Sequence, residues 1–247
     1  MWTYLVILFS SLLLAGVFVR RAHLLHKKAN TTAESPGEKC VDDEIEEITS
    51  QITEKKTKKD MNKVEELCKK GEERLKAGKE DDAIKFFVQA LAIDELHLET
   101  QNKLAMLYMK KQMFSSAAAL FRNLGKLTGE ALHYSHLGLA LFHEQDFEGA
   151  KNAYQKALDK DPSRPQRYVS LAQVYRSLGQ VQNAVIAINK AVEIDDQNLD
   201  YIFLLGEFQA ELGNKKEALE IFTRLSKLDP DNKDLKDSIK LLRSDSN

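Results

Sequence analysis

The sequence predicts an all-α protein: a right-handed superhelical solenoid of stacked helix pairs, preceded by a single transmembrane helix. Three observations carry that expectation. A charge-free, mostly aliphatic stretch runs from Trp2 to Val19. One pattern of small and bulky residues restarts at Val64, Leu98, Ala131, Pro165 and Leu199, at intervals of 34, 33, 34 and 34 residues. Within each restart the apolar residues fall at helical spacing. A unit this short cannot bury its own apolar face, so it must stack on its neighbours.

Residues 1–28 read as an anchor with a basic flank. Residues 2–19 make about 27 Å of helix at 1.5 Å per residue, enough to cross a hydrocarbon core. Trp2 and Tyr4 suit one interface; Arg20, Arg21, Lys27 and Lys28 suit the other. A cleaved signal peptide needs its basic residues before the apolar stretch, and here they follow it. Leu14-Ala15-Gly16 is close to a lipoprotein signal, but Val17 stands where the cysteine is required. The expectation is a single-pass membrane protein. The positive-inside bias puts the repeats on the cytoplasmic side. The alternative is an outward-facing, exported array that assists envelope assembly.

Residues 29–63 are polar. Thr31, Thr32, Ser35, Pro36 and Gly37 open the segment, followed by an acidic run (Asp42 to Glu47) and a basic one (Lys55 to Lys59). This is most simply a flexible linker, spanning roughly 30–35 Å as a coil. Ile45, Ile48 and Ile52 keep helical spacing, which leaves room for a short helix, and docking of the piece onto the repeats stays open.

Residues 64–231 hold the repeats: 64–97, 98–130, 131–164, 165–198 and 199–231. In the third, Tyr134, Leu137, Gly138, Phe147, Ala150, Tyr154, Ala157 and Pro162 stand at positions 4, 7, 8, 17, 20, 24, 27 and 32. A small residue at positions 8 and 20 lets two helices approach. Bulky residues at 4, 11, 17 and 24 fill the remaining space. Gly78, Gly179 and Gly213 sit where a first helix must turn back. Asp161-Pro162 and Asp229-Pro230 end second helices, and Ser163 with Gln166 is a candidate capping box for the next. This pattern resembles the tetratricopeptide repeat, a helix–turn–helix unit of 34 residues. Residues 232–247 read as a capping helix and tail, with Leu235, Ile239 and Leu242 on one face.

Composition narrows the function. From residue 64 onward 26 Lys and Arg face 29 Asp and Glu, which gives no basic face for nucleic acid. The two cysteines, Cys40 and Cys68, make neither a zinc motif nor a disulfide framework. No phosphate loop, nucleophile elbow or H-E-x-x-H motif occurs. His133, His136 and His143 share one helix but do not converge as metal ligands do, and read as solvated or groove-lining. The chain therefore reads as a non-enzyme with no cofactor and no metal.

The resemblance implies a concave wall built from first-helix positions 2, 5, 9, 12 and 13. On this chain that wall gives a partner groove of Asn102, Met106, Met109, Leu132, Leu139, Phe142, Val169, Gln173, Arg176, Phe203 and Glu207. One subclass of the family grips a partner's C-terminal carboxylate with Lys, Asn and Arg. The corresponding places hold Cys68, Glu72, Asn102, Met106, Ser135 and Leu139, so that clamp is absent. What remains is an apolar strip with a charged rim, suited to a helix or extended peptide from a protein partner.

Overall fold

The computed structural model describes residues 39–244, with side chains from residue 57 onward. Among these residues there are eleven helices and no strand: α1 (Lys39–Lys76), α2 (Glu80–Ile93), α3 (Leu98–Lys110), α4 (Phe114–Thr128), α5 (Ala131–His143), α6 (Phe147–Lys160), α7 (Pro165–Ser177), α8 (Val181–Ile194), α9 (Leu199–Glu211), α10 (Lys215–Leu228) and α11 (Lys233–Ser244). The chain divides into two compact units, 1–59 and 60–247. Of the first, the described part is the helical backbone that opens α1. The second is an all-α, tetratricopeptide-like solenoid in which each helix packs on the next.

The pairs close where the small residues sit. A Cβ added at Gly138 would meet the Tyr154 ring at 2.8 Å, and one at Gly206 would meet Phe222 at 2.5 Å. Gly71 faces Phe87 in the same way, at 2.5 Å. These rings are buried, as are Ala83, Ala117, Ala150, Ala184 and Ala218 on the second helices. Each buried large apolar side chain contributes about 1.5–3 kcal/mol, so the pattern of small against large decides how closely the helices stack. Burial also pushes the Tyr154 phenol up to about 12, against the opposing hydrogen bond to Ser170.

The turn inside every pair passes through left-handed backbone. Gly78, Gly179 and Gly213 take it with φ of 72°, 71° and 90°; Gln112 and Gln145 take it at 59° and 63°. All five stand at position 15 of their units. The second helices end at Asp94, Asp161, Asp195 and Asp229, but α4 ends at Gly129 in left-handed conformation. At the far end α11 lays Leu235, Ile239 and Leu242 against Phe222 and Leu225.

Three expectations need correction. Single-pass membrane localisation, with the repeats on the cytoplasmic side, is overturned by the finding that no helix among the described residues is long and apolar enough to cross a membrane. The 38-residue α1 has the length, but it is charged at almost every turn. The apolar stretch 2–19 lies outside the described residues. Second, the segment read as a flexible linker is helical from Lys39 onward. No Gly or Pro occurs between Gly37 and Gly71 to interrupt it, and Glu66 pairs with both Lys63 and Lys70 on its exposed face. Third, Ser163 and Gln166 form no capping box. Arg164 occupies the N-cap of α7 without a side-chain bond. Ser163 donates instead from its hydroxyl and its N–H to Asp161 Oδ1, at 2.6 and 3.1 Å.

Candidate functional site

The first helices α3, α5, α7 and α9 present the same positions in turn, so the residues expected to line a groove fall in rows along the array. Met106, Leu132 and Leu139 are exposed (45, 53 and 39 %). Asn102, Gln173 and Arg176 are exposed as well. Met109 and Phe142 are half-buried and pack on the central core. The Phe142 ring lies 5.5 Å from Phe147, edge to face. Phe203 is half-buried and leans on Phe222 at 5.3 Å.

Val169 departs from the expectation. It is 5 % exposed and packs in the core of α7, α8 and α9, so it offers nothing to a ligand. Of the other apolar residues expected on the inner wall, Met106, Leu132 and Leu139 are exposed and Met109, Phe142 and Phe203 are half-buried.

The rim is internally paired. Arg176 Nε donates to Glu211 Oε2 at 2.7 Å, and its guanidinium lies 5.7 Å from the Phe208 ring centre. Glu207 beside it is half-buried. Burial, with the nearby carboxylates of Glu211 and Asp234, raises its pKa above the usual range, and Arg176 opposes the shift.

Two positions of the absent carboxylate clamp, Cys68 and Ser135, are engaged in bonds between units. Cys68 is buried, its Sγ 2.6 Å from Thr100 Oγ1. Ser135 Oγ accepts from Arg167 Nε at 3.1 Å. Arg167 is a side chain the sequence reading missed. It is 9 % exposed, donates to the Asp161 carbonyl and pairs with Asp161 Oδ2 at 2.7 Å. The signal was there: an Asp closing one helix, and an Arg on the first turn of the next. Hydrogen bonds from Ser163 and Arg167 hold the Asp161 carboxyl far below the ordinary carboxylate range.

The histidines serve packing. His143 stacks on Phe114 at 4.5 Å and His136 on Phe121 at 5.0 Å. His133 is buried, with Nδ1 2.8 Å from Thr128 Oγ1. Burial lowers the pKa of His136, with a further contribution from His133. Among the described residues no three His, Cys, Asp or Glu side chains converge on a metal position.

The chain is similar to known proteins in part. The family model of anaphase-promoting complex, cyclosome, subunit 3 matches residues 143–225. A protein CTR9 homolog from Arabidopsis thaliana is 29 % identical over 101 residues, 39 % of this chain and 9 % of the relative. Hsp70-Hsp90 organizing protein 2 from the same plant is 27 % identical over 103 residues, 42 % of this chain and 18 % of the relative. The chain thus spans less than a fifth of the length of either relative. A crystal structure of MamA superposes with a TM-score of 0.59 at 27 % identity, covering 62 % of this chain and 90 % of MamA. With the helix-pair geometry, these likenesses make the described array a tetratricopeptide-repeat fold.

Proposed function

We propose that this array is a non-catalytic interaction scaffold, and that the concave face of α3, α5 and α7 takes an apolar segment of a protein partner. The observation that carries this reading is the row of Met106 and Leu139, at the same position of adjacent units and both exposed to water. Exposed aliphatic side chains aligned across neighbouring helices are the usual mark of a docking surface. Methionine adapts to more than one partner shape. An amphipathic helix or extended peptide would bury its own apolar side there.

Carboxylate capture, the mode of one subclass of this repeat family, is disfavoured here. Cys68 and Ser135 are engaged with the following unit, and Met106 and Leu139 have no proton to donate. Recognition through apolar contact is therefore favoured over recognition of a terminal carboxylate.

The test is capture of the cognate partner by full-length protein carrying Met106→Glu or Leu139→Glu. Burying a charge against an apolar ligand forfeits at least one side chain's burial energy, so affinity should fall about ten-fold or more. Both residues are exposed, so helicity and melting temperature should stay at wild-type values. Undiminished capture by both variants would end the groove assignment.

A further inference from the structure

The junction between the fifth pair and α11 contains a cavity of ≈ 240 Å³. Phe203, Leu225 and Leu235 supply its apolar wall; Asp200, Asp229 and Asp234 supply carboxylates, and no Lys or Arg lines it.

The repeat supplies its own template for what such a cavity holds. Moving 68 residues along the register carries Ser135 onto Phe203, Asp161 onto Asp229 and Arg167 onto Leu235. At the earlier junction, the Arg167 guanidinium fills this place and binds Ser135 and Asp161. At the later one, Leu235 is packed into the core among Phe222 and Leu225 and brings no positive charge. Asp229 is retained and accepts from Asn232 Nδ2 at 3.0 Å. Asp200 and Asp234 add two exposed carboxylates where the earlier junction has Leu132 and Gln166.

We propose that this cavity takes an arginine side chain of the segment bound along the concave face, a step that rests on the groove reading above. The methylene stem would lie on Phe203, Leu225 and Leu235. The guanidinium would reach Asp229, with Asp200 and Asp234 at the mouth. A planar fork of five donors matches several carboxylates better than an ammonium does. Asp200 and Phe203 stand at inner-wall positions of α9, so a segment running from Leu139 toward the C-terminal end arrives at the cavity. Glu207 on the same helix adds a further carboxylate, while Glu211 is paired with Arg176. Lys233 and Lys236 stand on α11 on either side of Asp234, and neither lines the cavity.

The probe is N-acetyl-arginine methylamide, too short to span the groove, titrated into the full chain while the amide signals of Phe203 and Leu235 are followed by NMR. A saturable shift is expected. The neutral isostere N-acetyl-citrulline methylamide should bind about ten-fold more weakly, because it keeps the shape and loses the charge. Asp200→Asn with Asp234→Asn should weaken arginine binding to a similar degree and lower the melting temperature only slightly, by the loss of two exposed first-turn carboxylates. Equal binding of arginine and citrulline probes, no saturable shift, or indifference to the double variant would each overturn the proposal. The two readings separate cleanly. If Leu139→Glu abolishes partner capture while the arginine probe finds no site, the groove stands and the cavity assignment fails. If the probe binds and partner capture ignores Leu139→Glu, the groove reading fails.

Discussion

The third and fifth helix pairs obey one pattern and are packed to different degrees. In α5, His133, Leu137, Gly138, Ala140 and Leu141 are all buried; in α9 only Gly206 and Phe208 are. Yet both pairs bring a glycine against an aromatic ring, Gly138 on Tyr154 and Gly206 on Phe222. The contact inside a pair is therefore kept while contacts between pairs vary. The third pair has a complete pair on either side. The fifth has one, and beyond it a single helix and an open cavity. Cohesion within a unit is written in the repeated positions; cohesion of the array depends on residues that differ from junction to junction.

The largest effect should separate the two pairs at their glycines. Leucine in place of Gly138 must push the Tyr154 ring out of a filled core, at a cost of about 3 kcal/mol. Gly206→Leu starts from a closer approach, 2.5 Å against 2.8 Å. It should nevertheless cost less, because Phe222 is covered on its outer side by the single helix α11, which can shift more readily than a complete pair. Urea denaturation of both variants ranks them; equal losses would dissolve the distinction between a closed and an open pair.

The junctions offer a second contrast. Arg167→Ala removes the guanidinium that ties Ser135 and Asp161 together and leaves both half-exposed partners to water. A loss of about 1 kcal/mol is expected, since water can replace much of what the half-exposed partners lose. At the other end the aligned residue is Leu235, whose contribution is apolar burial. Salt should therefore weaken wild type more than Arg167→Ala. A salt response that is the same in both would mean that the ion pair adds nothing.

Acidification should act on the two regions with opposite sign. The folded pKa of Asp161 lies below its unfolded value, so its contribution is complete above the unfolded carboxylate pKa of about 3.9 and disappears as pH falls through the folded value. Glu207 is raised, chiefly by burial. Its ionised form is disfavoured in the folded state, so protonation stabilises the fifth pair; that gain is complete below about pH 4.3 and is lost as pH rises through the raised value. Going from neutral to about pH 4.5, Glu207→Gln should remove a gain in stability that wild type shows. Asp161→Asn should matter at neutral pH and become indistinguishable from wild type only in stronger acid. Parallel pH profiles for wild type and Glu207→Gln would remove the burial argument at that residue.

The same division explains what could be read from the residues alone. The all-α solenoid was legible because its determinants are local. Gly138, Ala150 and Tyr154 lie within one unit, and one rule of small against large joins them. The groove was legible only in part. Val169 sits in the row expected to line the wall, but it turns inward because the curvature that decides exposure belongs to three helices at once. Arg176 is legible as part of a charged rim, but its pairing with Glu211 is not. The two are 35 residues apart and adjacent in space, a contact that appears only when units are stacked. The histidines looked free along one helix, and their aromatic partners come from α4. The α1 helix follows from a missing signal: without Gly or Pro, alternating charge continues a helix as readily as it loosens a linker.

The smallest effect tests the one place where the repeated pattern conflicts with backbone preference. Position 15 needs positive φ, and three units satisfy it with glycine. Gln112 and Gln145 adopt it despite their Cβ atoms. A non-glycine residue in left-handed conformation carries about 1 kcal/mol of strain. Glycine removes that strain but loses more chain entropy on folding, by up to about 1 kcal/mol. The balance for Gln112→Gly is a gain of a few tenths of a kcal/mol, roughly the difference of those two terms. Gly213→Ala places the strain without any compensating contact, since an added Cβ there meets nothing within 4 Å. It should cost about 1 kcal/mol. The two substitutions should therefore move the urea midpoint in opposite directions, and the larger shift should come from the more weakly packed fifth pair. If both lower it, the glutamine turns are supported by contacts that outweigh their strain.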